Sequence, residues 1–141
     1  MSHVVWSRRP LPPLPREAPA WEWPLCTPVD VTLGRRQLQT DLQRGLPPSA
    51  DHEDLDRLLL VFEELASNGV RHGRAPVRVR VTRTAEGWLI DVSDAALEQP
   101  PLPAVDRDPA DGGLGLYLVA ALAAAHGWTV RRGWKHVWAC V

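Results

Sequence analysis

Within the segment EELASNGVRHG, Glu64, Asn68 and His72 follow one another at intervals of four residues. Four residues is about one helical turn, so on a helix the three side chains share a stripe. A carboxylate there can take a proton from water or a hydroxyl, and a neutral carboxamide oxygen can complete the octahedral shell of a magnesium ion. Downstream, Gly112, Gly113 and Gly115 open an apolar run. Backbone amides at a helix start attract phosphate, and glycines let the main chain come close. The cluster has no following Gly-Lys-Ser/Thr and carries Leu118 where a dinucleotide fingerprint needs glycine, so it is neither of those motifs. Asp94 ends an alternating run in phase with Ile90 and Val92. A carboxylate on an apolar face must find donors; an adenine amino group is one, whereas guanine shows a carbonyl at that place. Each feature alone has a plainer use: a solvated helix face, a flexible stop, a turn-capping aspartate. His72 at a helix end complements the dipole, and His52 shows no partner in the sequence.

The elements that must hold these residues follow from periodicity. Leu55, Leu58, Leu59, Phe62, Ala66 and Gly69 recur on a second stripe of the same helix, which Ser49 or Asp51 caps and which ends by Gly73. An earlier helix starts with Thr27 as cap, Pro28 in the first turn and Asp30 near the free amides, and stops at Gly45. Trp21, Trp23 and Leu25 alternate as a short edge strand. Val77, Val79 and Val81 alternate with Arg78 and Arg80, and a turn at Glu86 and Gly87 leads into a strand from Trp88 to Ser93. The proline-punctuated stretch from Ala95 to Pro109 reads as a lid or an unstructured loop. A buried helix from Leu116 to about Ala125 with a stop at Gly127, then strands from Trp128 to Arg132 and from His136 to Val141, complete the order. The pattern predicts an α+β fold: a two-layer sandwich with a mixed, mostly antiparallel sheet and helices on one face.

The chain has 141 residues, enough for one domain that buries a core without staples. Residues 1–20, rich in proline, read as a flexible or extended arm, and the folded domain is expected to span 21–141. A net charge of −1 with scattered arginines excludes a strong electrostatic pull toward nucleic acid. Lys135 is the lone lysine. Cys26 and Cys140 are too few for a disulfide framework or metal knuckle, and no apolar run reaches membrane-spanning length, so a cytoplasmic protein is expected.

Taken in order, EELASN, Asp94, GGLGLYLV and the terminal KHVWACV resemble the Bergerat-fold ATP-binding domain shared by histidine kinases and gyrase. Within that superfamily the chain is similar to the small stand-alone branch, the anti-sigma-factor serine/threonine kinases. The resemblance spans about residues 21 to 141. It implies ATP and Mg2+ as cofactors, with Glu64 activating the attacking group, Asn68 binding Mg2+ and Asp94 reading the adenine amino group. It also implies that Gly112, Leu114, Gly113, Gly115 and Leu116 shape the phosphate end, with the lid between Pro100 and Asp111. Arg107 and Arg74 are candidate phosphate contacts on charge and position. The implied partner is a protein such as a sigma factor or an anti-sigma-factor antagonist, and homodimerisation through the first strand and helix stays open. Ala96 and His136 stand where the superfamily usually has glycine and a small hydroxyl residue. Two alternatives remain: a nucleotide-sensing module without turnover, and a scaffold that binds no nucleotide and docks a partner through Trp6, Trp21 and Trp23.

Overall fold

Strict alternation between Val77 and Val81 leaves one strand face apolar, and in the computed structural model, which describes residues 6–14, 16–45, 52–101 and 114–141, that face meets three helices. The strands are β1 (Ala20–Leu25), β2 (Val77–Thr84), β3 (Gly87–Asp94), β4 (Ala125–Arg131) and β5 (Trp134–Cys140). The helices are α1 (Pro28–Arg44), α2 (His52–His72) and α3 (Leu114–Leu122). The sheet order is β1-β2-β3-β5-β4, and every pairing of named strands is antiparallel. The expected mixed character is confined to one isolated parallel bridge between Arg8 and Trp128.

Local signals account for most boundaries. Asp30 accepts from the backbone N–H of Cys26 at 2.7 Å and of Thr27 at 3.0 Å, satisfying amides at the α1 start where its charge also suits the dipole. α2 buries Leu55, Leu58, Leu59, Phe62, Leu65 and Ala66 against the sheet and α1, each large side chain contributing roughly 1.5–3 kcal/mol. Its expected caps, Ser49 and Asp51, lie outside the described residues. Trp23 meets Phe62 edge-on at 5.5 Å and donates to Gln37 at 3.1 Å, while Trp21 donates to Asp41 at 3.2 Å. These bonds tie β1 to α1 and use both tryptophans within the fold.

Two expectations change. The alanine-rich run after Leu122 favours helix by propensity, yet β4 begins at Ala125, where pairing with Cys140 and Ala139 prevails over local preference. Among residues 6–14 and 16–19, several also pack on the domain rather than standing apart as an arm. Trp6 is 5 % exposed and belongs to the core cluster. The Arg9 N–H donates to the Trp128 carbonyl at 2.8 Å, and the Trp138 indole donates to the Arg9 carbonyl at 3.1 Å. At its other end this strap reaches β2, where the Arg83 N–H meets the Pro19 carbonyl at 2.9 Å. It follows the free edge of β4: Trp6 enters the core beside His126, on the face of Ala139, while Arg9 lies over Gly127 and Trp138 on the other face, where a Cβ on Gly127 would come within 2.9 Å of Arg9. Proline-rich composition forbids a helix there but not an extended segment whose tryptophan finds a pocket.

Candidate functional site

The last two turns of α2, the end of β3 and the start of β5 enclose a cleft of about 440 Å3. Its walls include Asn68, His72, Gly73, Asp94, Gln99 and Lys135. Asn68 is half-buried, and its carboxamide has no hydrogen-bond partner among the described residues. Its carbonyl oxygen lines the cavity and is chemically able to act as a neutral metal ligand.

Asp94 lies at the floor, 1 % exposed. Its Oδ1 accepts from the N–H of Ala96 at 2.7 Å and of Arg74 at 3.3 Å, while Oδ2 faces the Lys135 ammonium at 3.2 Å. Gly73 sits directly above it, where a Cβ would come within 2.9 Å of the Asp94 carboxyl carbon and 2.5 Å of the Gly69 carbonyl. Only glycine lets the end of α2 approach the carboxylate so closely.

Glu64 is one turn back along α2. Burial, then the like charge of Glu63, push its carboxyl above the usual range, and Arg71 partly opposes them. Neighbouring Glu63 is engaged elsewhere, 3.2 Å from Arg35 of α1. Geometry therefore separates the two adjacent glutamates: one braces helices, the other faces the N-terminal end of α3. A Cβ on Gly115 would overlap the Glu64 carboxylate, so this glycine is the reason that α3 can begin there.

Among the other expected residues, Leu116 is buried in the core behind the site, and α3 starts at Leu114. Arg74 is exposed and stays outside the cleft lining; its backbone N–H, rather than its guanidinium, serves the site. Gly112, Gly113, Arg107 and the lid beyond Pro101 lie outside the described residues. Ala96 packs behind Asp94 instead of lining the cleft. His136 points to the opposite sheet face, where its Nδ1 is 3.0 Å from both carboxylate oxygens of Asp91. It is therefore turned away from the cleft that Asp94 and Lys135 line.

The residue that does face Asp94 is Lys135, 4 % exposed, directly opposite in the β3–β5 register. Its Nζ also donates to the Gln99 carbonyl at 2.8 Å. The signal was present in the sequence: the chain's single lysine shares strand parity with the buried Val137 and Ala139.

The donor set fits a nucleotide with its metal. Among the described residues no group of three His, Cys, Asp or Glu side chains could hold a metal ion by itself. One carboxamide oxygen fits a Mg2+ that draws its remaining ligands from phosphates and water. Among the same residues, no helix is long and apolar enough to cross a membrane. A family model described as histidine kinase-like ATPase domain matches residues 28–140. No curated protein matches the chain.

Proposed function

Because the chain belongs to the histidine kinase-like ATPase family, we propose that this ATP-binding regulatory protein is a serine/threonine kinase of the anti-sigma-factor type, transferring the γ-phosphoryl group of Mg-ATP to a protein partner. The observation that carries the proposal is the separation of roles along α2: Asn68 opens into the cleft with its carboxamide unspent, and Glu64 lies one turn away against α3 with a raised pKa.

Phosphoryl transfer asks chiefly for positioning and charge neutralisation. Asn68 would hold Mg2+, which neutralises charge on the phosphates when bound. Asp94 accepts from the adenine amino group through Oδ2, since its other oxygen is already filled by two backbone donors. Glu64 takes the proton of the incoming serine or threonine hydroxyl as the oxygen–phosphorus bond forms and ADP leaves. A base whose pKa is raised toward neutrality is better matched to that proton than an ordinary solvated glutamate. The partner would be a sigma factor or its antagonist, as the resemblance implies.

Incubation with labelled ATP and candidate antagonist proteins tests the reading. Transfer to a partner serine or threonine is expected, with a loss of 100-fold or more in Glu64→Ala, at the order of roughly 10²–10⁴ that general bases contribute. Undiminished transfer by that variant would remove Glu64 from its role. A second reading, a nucleotide-sensing module without turnover, is favoured by one observation: the base-reading carboxylate already carries an ammonium partner. Calorimetric ATP binding with no transfer to any partner would select it.

A further inference from the structure

At the floor of the cleft the lone lysine and the buried aspartate each keep, among the described residues, one hydrogen-bonding position unspent, side by side. An ammonium has three donors. Lys135 directs two of them to Asp94 Oδ2 at 3.2 Å and to the Gln99 carbonyl at 2.8 Å, which leaves a third. A carboxylate can accept about four hydrogen bonds. Among the described residues, Asp94 Oδ1 takes two backbone donors, whereas Oδ2 takes only Lys135. Both residues line the same cavity. Stability alone is a weak reason for the pair, because a buried ion pair is commonly replaced by apolar residues without loss of stability. What it adds is an adjacent acceptor and donor on a cavity wall, the arrangement by which a nucleobase edge is read.

We propose that Lys135 is a base-reading residue, donating to ring nitrogen N1 of adenine while Asp94 Oδ2 accepts from the 6-amino group. The proposal rests on the nucleotide-binding reading above and adds a specificity determinant to it. Adenine presents a donor beside an acceptor on this edge and so fits one free acceptor and one free donor. Guanine presents two donors beside its carbonyl, and the second carboxylate oxygen that would receive them is already filled by Ala96 and Arg74. The two-point contact also differs from a lone carboxylate, which reads the amino group and leaves N1 to water.

Titration calorimetry of the full chain with ATP, 1-deaza-ATP and GTP in the presence of Mg2+ tests this. The wild type is expected to bind 1-deaza-ATP, in which a C–H replaces N1, roughly ten- to a hundredfold more weakly than ATP, the weight of one hydrogen bond to a charged group. In Lys135→Met, ATP affinity should fall by a similar factor and the two ligands should become equivalent. If that variant does not fold, the analogue comparison on the wild type decides by itself. Equal wild-type affinity for ATP and 1-deaza-ATP overturns the proposal while leaving nucleotide binding intact. Tighter ATP binding by Lys135→Met would make Lys135 an occluding group, and tighter binding of GTP than ATP would place it on a 6-oxo group; either overturns the assignment to N1. No ATP binding by the wild type overturns the nucleotide reading and this proposal together.

Discussion

Glu64 shows how a partly buried carboxylate can oppose the fold that carries it. Burial and Glu63 raise its pKa in the folded state, so folding favours the protonated form. The resulting stability is fully present below the unfolded pKa and is lost as pH rises through the folded value. At neutral pH the ionised carboxylate is therefore a net cost. Glu64→Gln keeps the shape and removes the charge, so the variant should be more stable than the wild type at pH 7 and indistinguishable from it below the unfolded carboxylate range. Water still reaches this side chain, so screening limits the gain to less than about 1 kcal/mol. Urea denaturation of both proteins at pH 7 and pH 4 checks the sign. A destabilised Glu64→Gln at pH 7 would mean that the carboxylate is held by donors rather than merely desolvated. On the proposed function the same substitution would remove the proton acceptor, so gain in stability and loss of transfer should appear in one variant.

At the scale of elements, the site depends on how closely α2 lies against the sheet. A Cβ on Gly69 would come within 2.6 Å of Val92 and 3.2 Å of Val77. Alanine improves intrinsic helix propensity by about 1 kcal/mol. Overpacking costs about 1–3 kcal/mol, and both obstructing atoms belong to β-branched side chains on paired strands that have little room to turn. The steric term wins. Gly69→Ala is expected to lose about 1 kcal/mol net in chemical denaturation and to weaken ATP binding, because the Asn68 and Gly73 ends of the cleft move with the helix. The helices and the β2–β3 hairpin were readable because each has a single apolar face whose period, 3.6 or 2, is written in consecutive residues. The glutamate–asparagine stripe was readable for the same reason. Lys135 was harder to recognise, since its importance depends on the β3–β5 register, which pairs it with a residue 41 positions earlier in the chain. His136, one residue later, lies on the opposite face. The Ala123 to Ala125 run misled because three alanines carry helix propensity but no face, leaving strand pairing to decide.

The whole molecule includes a strap that the family match does not cover, since the matched span starts at Pro28. Trp6 closes the strap onto β4, its ring 4.5 Å from that of His126. Among the described residues, neither Trp6 Nε1 nor His126 Nδ1 has a hydrogen-bond partner, so nothing there offsets the burial of a charged imidazole. Burial first, and then Arg9, lower the His126 pKa. For such a group the stability is present above the unfolded histidine value and is lost as pH falls through the folded one. Acidification should therefore loosen the strap at the β4 edge while the cleft, built from α2, the end of β3 and the start of β5, stays formed. Trp6→Ala removes the anchor and should cost about 3 kcal/mol in urea denaturation at pH 7.5, in the range for large aromatic deletions. Hydrogen exchange gives the spatial readout: between pH 7.5 and 5.5, after correction for intrinsic exchange rates, protection at the Arg9 and Trp128 amides should fall in the wild type, while that at Val79 and Val92 persists. In His126→Gln, which cannot acquire the charge, strap protection should no longer depend on pH over that interval. Loss of protection at Val92 in step with Arg9 would instead show that strap and cleft open as one cooperative unit, and that ligand binding and strap docking share a single equilibrium.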